Sequence, residues 1–165
     1  MNLHLEWKVL FVIAACIFHT TAPAQQAADT PCPNSQDMTA ERLHGLWSVR
    51  FTAPPDGLPT EASMRLQRHA EFSESLAGSV SRNFGWAAGS AKIAGHASRA
   101  ALAGDLDSGM LLLDESSDNV SITGTWNGEM VAGSCGKVYQ GSWKDTSHSA
   151  PDHAVDVPFT MTRLP

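Results

Sequence analysis

Residues 120–132 read Val120-Ser121-Ile122-Thr123-Gly124-Thr125-Trp126-Asn127-Gly128-Glu129-Met130-Val131-Ala132. Val120, Ile122, Gly124 and Trp126 alternate with polar residues, which is the period of a half-buried β-strand. Asn127-Gly128 follows, the dipeptide best suited to a two-residue hairpin because both positions accept positive φ. Met130 and Ala132 return in a second strand, with Val131 on the other face. A strand, a turn and a strand in so short a stretch point to antiparallel β-structure.

The same period continues on both sides. Upstream, Ala100, Leu102 and Leu106 lead to the turn Asp107-Ser108-Gly109. Met110 to Leu113 is a strand apolar on both faces, and Ser116-Ser117-Asp118-Asn119 turns the chain. Downstream come the strand Val138 to Trp143, the Pro-containing loop 144–154, and the alternation Val155, Val157, Phe159, Met161. In the first half, residues 37–44 read as one or two helical turns stopped by Gly45. Trp47, Val49 and Phe51 then alternate, and Pro54-Pro55-Asp56-Gly57 breaks the run. Residues 61–73 fit a helix through Ala62, Leu66 and Ala70, and a strand through Met64, Leu66 and Phe72. A strand at 62–68 with a turn near 69–74 is preferred. Leu76, Gly78 and Val80 continue the alternation, and Phe84 to Gly89 is a Gly- and Ala-rich loop carrying Trp86.

Roughly eight to ten short strands at about ten-residue spacing, with no long helical pattern, predict an all-β antiparallel meander. Such a meander must close or pair its edges. A small eight-stranded barrel over residues 37–165, entered through a short N-terminal helical turn, does so most economically; a two-sheet sandwich is the alternative.

Length and charge agree with this reading. The chain has 165 residues, enough for one domain, and 42% are hydrophobic, too many for intrinsic disorder. Lys and Arg number 11 against 17 Asp and Glu, for a net charge of −6. Without a basic cluster, nucleic acid is excluded as a partner.

The N-terminus reads as an address. Lys8 stands beside Glu6, and Val9 to Phe18 is an apolar run too short for the roughly 20 residues of a membrane-spanning helix. His19-Thr20-Thr21-Ala22-Pro23-Ala24 ends in a small-x-small site, so residues 1–24 are expected to be a signal peptide cleaved after Ala24. Ile13-Ala14-Ala15-Cys16 also looks like a lipobox, which would anchor a lipoprotein through Cys16. Ile17-Phe18 extends the apolar run past that cysteine and favours plain cleavage. The mature chain, with a flexible leader at 25–36 and no transmembrane span, is then periplasmic or secreted. Cys16 leaves with the address, and Cys32 and Cys135 remain to form one disulfide in an oxidising compartment. A reactive thiol at Cys135, in Gly133-Ser134-Cys135-Gly136, lacks a basic partner nearby.

One short pattern recurs. Leu43-His44-Gly45-Leu46-Trp47, Ile122-Thr123-Gly124-Thr125-Trp126 and Tyr139-Gln140-Gly141-Ser142-Trp143 share apolar-x-Gly-x-Trp, with the named positions on one strand face. The glycine permits a sharp bend or a close approach, and the tryptophan fills the space beneath. The three tryptophans read as core plugs or as walls of a ligand cavity.

A Gly-x-Trp on the first strand after a short helical turn resembles the calycin superfamily, the lipocalins and avidins. Ile122 to Trp126 looks like an avidin-type strand. The avidin ligand-contacting pattern has no counterpart here, and the second and third lipocalin motifs are not evident. The chain is also similar, in export, size and early Gly-x-Trp, to small periplasmic barrel inhibitors of secreted proteases. The first resemblance implies an exported, non-enzymatic binding protein holding a small, partly apolar ligand among Trp47, Trp86, Trp126 and Trp143. The second implies an envelope partner-binding or protease-inhibitor-like barrel working through its leader and loops.

Other clusters carry little chemistry. Asp105, Asp107, Asp114, Glu115 and Asp118 surround one hairpin without calcium-loop spacing and read as turn acceptors. Asp145, His148, Asp152, His153 and Asp156 match no zinc spacing. His44, His69 and His96 are scattered. Arg65, Arg68 and Arg82 read as a solvated face. Gly-x-Ser-x-Gly and a phosphate loop are absent, and strands this short do not suit an outer-membrane barrel. No catalytic residue, metal or cofactor is expected; a hydrolase of unrecognised type is the third alternative, on the ground of the scattered His and Asp residues in loops.

Overall fold

The structure, a computed structural model, describes residues 32–82 and 98–165. The address segment with Cys16, leader residues 25–31, Trp86 and His96 lie outside them.

Eight strands follow in chain order: β1 Gly45–Phe51, β2 Glu61–Arg68, β3 Leu76–Arg82, β4 Arg99–Asp107, β5 Met110–Ser116, β6 Gly124–Met130, β7 Val138–Asp145 and β8 Asp156–Arg163. Each pairs antiparallel with the next, and β8 returns to β1, closing the barrel. The closing register sets Phe51 opposite Phe159 and Val49 opposite Met161. Closure leaves no unpaired sheet edge. The fold is the all-β antiparallel meander that the alternation predicts. The N-terminal helical turn is two short 3-10 turns, Ser35–Asp37 and Ala40–Leu43.

Alternation puts one face of every strand inside. Trp47, Val49 and Phe51 of β1, Met64 and Leu66 of β2, Leu111 and Leu113 of β5, and Val157, Phe159 and Met161 of β8 are all buried. Met110 and Leu112, on the other parity of β5, remain exposed. The strand apolar on both faces is thus half core and half surface. Tyr139 lies in the core beside Trp47 at a centroid distance of 5.9 Å, and burial pushes its hydroxyl pKa up to about 12.

The two ends differ. At the capped end the 3-10 turns lie across the β4–β5 and β6–β7 turns. A Cβ at Gly109 would stand 2.6 Å from Ser35, and one at Gly136 2.6 Å from the Met38 methyl. Cys32 is joined to Cys135 here, with Cα atoms 4.6 Å apart. Ser108 and Gly109 both take positive φ, giving the tight β4–β5 hairpin its type I′ character. At the opposite, loop end, β1 is joined to β2, β3 to β4, β5 to β6 and β7 to β8.

The stretch that decides the fold class is misread in detail. Asn127-Gly128 does not turn: β6 runs through it, pairing Asn127 with Leu112 and Ser142, and Gly128 with Leu111 and Gly141. Gly128 faces inward, where a Cβ would lie 3.1 Å from the Phe159 ring. Packing, not turn chemistry, uses this glycine, and the chain reverses at 131–137. Val120 and Ile122 are not in a strand either; they are 88% and 51% exposed in the β5–β6 loop. The Asp118 carboxylate accepts the backbone N–H groups of Val120 and Ser121, both at 2.8 Å, which holds this segment as a turn.

The repeated glycines serve three different ends. Gly45 has φ +141° and opens β1 beside the Arg163 guanidinium. A Cβ at Gly124 would meet the Trp143 indole nitrogen at 2.6 Å, so its absence makes room for that ring. Gly141 faces the Asn127 carbonyl of β6 in a close strand approach. Leu43 lies in a 3-10 turn and Ile122 in a loop, so only Tyr139, Gly141 and Trp143 place all three motif positions on one strand.

Candidate functional site

Two sets of side chains meet near the loop end. The first is inside the barrel. Arg82 ends β3 on the inward parity of Leu76 and Val80, and Glu115, one residue before the end of β5, lies on that of Leu111 and Leu113. Their side chains are 1% and 0% exposed. Two parallel hydrogen bonds join them: Arg82 Nη1 donates to Glu115 Oε1 and Nη2 to Oε2, each at 2.6 Å. This bidentate, charge-assisted geometry is what a buried ion pair needs to offset desolvation.

The same carboxylate holds two indoles. Trp126 Nε1 donates to Glu115 Oε2 at 3.0 Å, and Trp143 Nε1 donates to the same oxygen at 3.1 Å. The guanidinium carbon lies 5.6 Å from the Trp126 ring centroid and 5.2 Å from that of Trp143, within cation–π range. Phe51 and Phe159 complete the cluster, at 5.6 Å and 5.2 Å from Trp126. One carboxylate therefore fixes two large rings, and one arginine neutralises it.

Arg82 is thus not part of a solvated face, and Glu115 is not a turn acceptor. Arg65 and Arg68 are exposed, as expected of polar strand positions. Strand parity carried the missed signal: Arg82 lies two residues beyond Val80, and Glu115 two beyond Leu113.

Of the four tryptophans expected to bound a ligand, the structure brings together Trp126 and Trp143. Trp47 is at the capped end, where its Nε1 donates to the Leu43 carbonyl at 2.9 Å and Arg163 lies over its ring at 6.0 Å. Trp86 is outside the described residues. All three described tryptophans have their rings in the core.

The second set borders a cleft of about 330 Å³ that opens outward at the loop end. The β1–β2 loop supplies Pro55 and Asp56. The β7–β8 loop supplies Pro151, His153, Ala154 and Val155, and Trp143, Asp145 and Val157 come from the flanking strands. Local bonds shape these loops. Leu58 N–H bonds the Pro55 carbonyl, and the buried Leu58 side chain tucks the β1–β2 loop inward. Asp145 Oδ1 accepts the Ser147 N–H at 2.8 Å, and Ala154 N–H bonds the Pro151 carbonyl. Thr146 N–H bonds the Thr123 carbonyl, tying the β7–β8 loop to the β5–β6 loop.

Trp143 links the two sets. Its indole nitrogen is held by Glu115, while the residue borders the cleft. From the Asp145–Asp156 series, the cleft takes Asp145 and His153. Among the described residues no group of three or more His, Cys, Asp or Glu side chains is placed to hold a metal ion. No helix among them is long and apolar enough to cross a membrane. The chain matches no protein-family model, and no curated protein is significantly similar to it.

Proposed function

We propose that the protein is an exported, non-enzymatic, calycin-like binding barrel that takes a small, partly apolar ligand in the cleft at its mouth. The carrying observation is the cleft itself. Its 330 Å³ lies within the roughly 300–1,000 Å³ of small-molecule sites, and barrel mouths are a recurrent place for them. Its walls combine apolar Pro55, Pro151, Val155 and Val157 with a few polar groups. The calycin reading is supported by the up-and-down order and by Gly45-x-Trp47 directly after a 3-10 turn. Export is supported by the Cys32–Cys135 bond together with the signal-like character of residues 1–24. Because the described Trp47, Trp126 and Trp143 are packed into the core, this reading puts the ligand above Trp143 and not among those three rings.

The test is a screen of soluble aromatic and aliphatic fragments against isotopically labelled protein. Backbone shifts should concentrate at Asp56, Asp145 and residues 153–157, and Ala154→Trp should abolish them. Shifts confined to other surfaces overturn the reading.

The partner-binding alternative draws on the exposed Val120, Ile122 and Val155 at the same end. On that reading, purified candidate envelope proteins or secreted proteases bind the intact chain. Binding weakens when residues 25–31 are deleted or when Val120 and Ile122 become serine.

A further inference from the structure

Two turns in this barrel are tied in the same way by different acceptors. At the loop end the Asp118 carboxylate accepts the N–H groups of the residues two and three positions on, Val120 and Ser121, both at 2.8 Å. In the β2–β3 turn, at the capped end, the acceptor is an imidazole. His69 Nδ1 accepts the N–H groups of Glu71 at 3.2 Å and of Phe72 at 3.3 Å. The ring also packs on Phe72 at a centroid distance of 5.0 Å, although that residue is 61% exposed. One side chain thus fixes both the turn and the apolar group at its tip.

The two acceptors differ in what a proton does to them. Asp118 has its pKa lowered to about 2 by the backbone N–H groups of Ser121 and Val120, so it accepts at any ordinary pH. An imidazole nitrogen accepts a hydrogen bond only while it carries no proton, and histidine changes charge between about pH 5 and 8. A proton on Nδ1 would confront two N–H donors. Proton uptake there and closure of the turn therefore exclude each other: the turn is complete at neutral pH and is lost as pH falls.

The charged groups on the elements around this turn are of both signs. They are Arg68 on β2, Glu71 and Glu74 in the turn itself, Glu41, Arg42 and His44 in and beside the 3-10 turn that packs on β2, and Asp105 on β4 beyond β3. None of them forms an ion pair with His69. The His69 N–H donates to the Ser75 carbonyl at 3.0 Å and the Ser75 N–H to the Phe72 carbonyl at 3.2 Å. Neither bond uses a side chain, so the hairpin outlasts the loss of the imidazole contacts.

We infer that His69 makes the β2–β3 turn a mild-acid catch: on protonation it lets go of the Glu71 and Phe72 N–H groups, and Phe72 leaves its stack at the capped end. This device is independent of the cleft at the other end.

Amide NMR of the full, isotopically labelled chain from pH 8 to pH 5.5, above most of the carboxylate range, tests this. As the His69 ring protonates, the Glu71 and Phe72 amides should shift in step with it. Their protection from hydrogen exchange, relative to unstructured peptide, should fall about three- to tenfold, the range that one net hydrogen bond supplies. The contact between the His69 and Phe72 rings should weaken over the same interval, while the Ser75 amide holds. His69→Asp supplies the kind of acceptor that Asp118 provides in its own turn, and should keep both amides constant throughout. His69→Ala should lose both contacts at every pH. Glu71 and Phe72 amides that stay unmoved while His69 titrates overturn the inference, and so does an equal pH response in His69→Asp.

Discussion

Among the described residues two arginines lie over tryptophans, at opposite ends of the barrel and by different means. At the capped end Arg163 sits over Trp47 and donates to backbone carbonyls of Arg42 and His44. That arginine is exposed, and its partners are the unpaired ends of a 3-10 turn. At the loop end Arg82 sits between Trp126 and Trp143 and is buried, so carbonyl dipoles would not neutralise it; it has Glu115. Water covers the first charge and excludes itself from the second. The same residue pair therefore serves as an outer clamp in one place and as an internal strut in the other.

Loss of the staple at the capped end should cost most. Cys32 and Cys135 are 103 positions apart, and on the chain-entropy view a loop of that size contributes about 4–5 kcal/mol. Urea unfolding of Cys32→Ser/Cys135→Ser should show this loss, and an unchanged midpoint would remove the staple from the comparison. Next, Arg82→Met removes the guanidinium that binds the buried Glu115 carboxylate bidentately and should cost about 3–5 kcal/mol. Arg82→Met/Glu115→Leu should recover only part of that: a hydrophobic pair needs no neutralisation, but the Trp126 and Trp143 indole N–H groups lose the carboxylate that accepts them. If the single change costs no more than an exposed one, the strut is not buried in solution.

Smaller effects separate clamp from strut. Gly124→Ala forces a methyl against the Trp143 indole and should cost about 1–3 kcal/mol, with a shift of the Trp143 Nε1–H resonance. Arg163→Met should cost about 1–2 kcal/mol, since its hydrogen bonds are solvent-exposed and water replaces them. A larger loss for Arg163 than for Arg82 would invert the ranking. Smallest is Asp118. Its folded pKa of about 2 is below its unfolded value, so its contribution is complete above about pH 4 and is lost as pH falls towards 2. Wild type and Asp118→Asn compared across pH 2–6 should converge at the acid end.

The barrel was legible because alternation is a strong signal where one face is solvent. Trp47-Val49-Phe51 and Val157-Phe159-Met161 announced β1 and β8 directly. Asn127-Gly128 misled because local turn preference is weak beside a core ring that needs space at Gly128. Arg82 and Glu115 were hidden in a different way. Each belongs to a residue type almost always on the surface, and only the partner makes the inward position tolerable. That partner is on another strand, 33 positions away, and no local window contains both. The cleft is harder still, since Asp56 reads as a turn residue until the fold brings its loop and that of His153 to the border of one cleft.

Closure of β1 on β8 has a consequence in time. The strand that completes the barrel, seals Phe51 against Phe159 and carries Arg163 is the last one made. Until Asp156–Arg163 arrives, both flanks of the meander are open and the 3-10 turns have no guanidinium to hold them. A chain whose earliest and latest segments must meet has high contact order and folds slowly for its size. Its half-made barrel exposes tryptophans and unpaired strand edges for longer than a local topology would. Deleting β8 should therefore yield an aggregating species, not a shorter stable barrel.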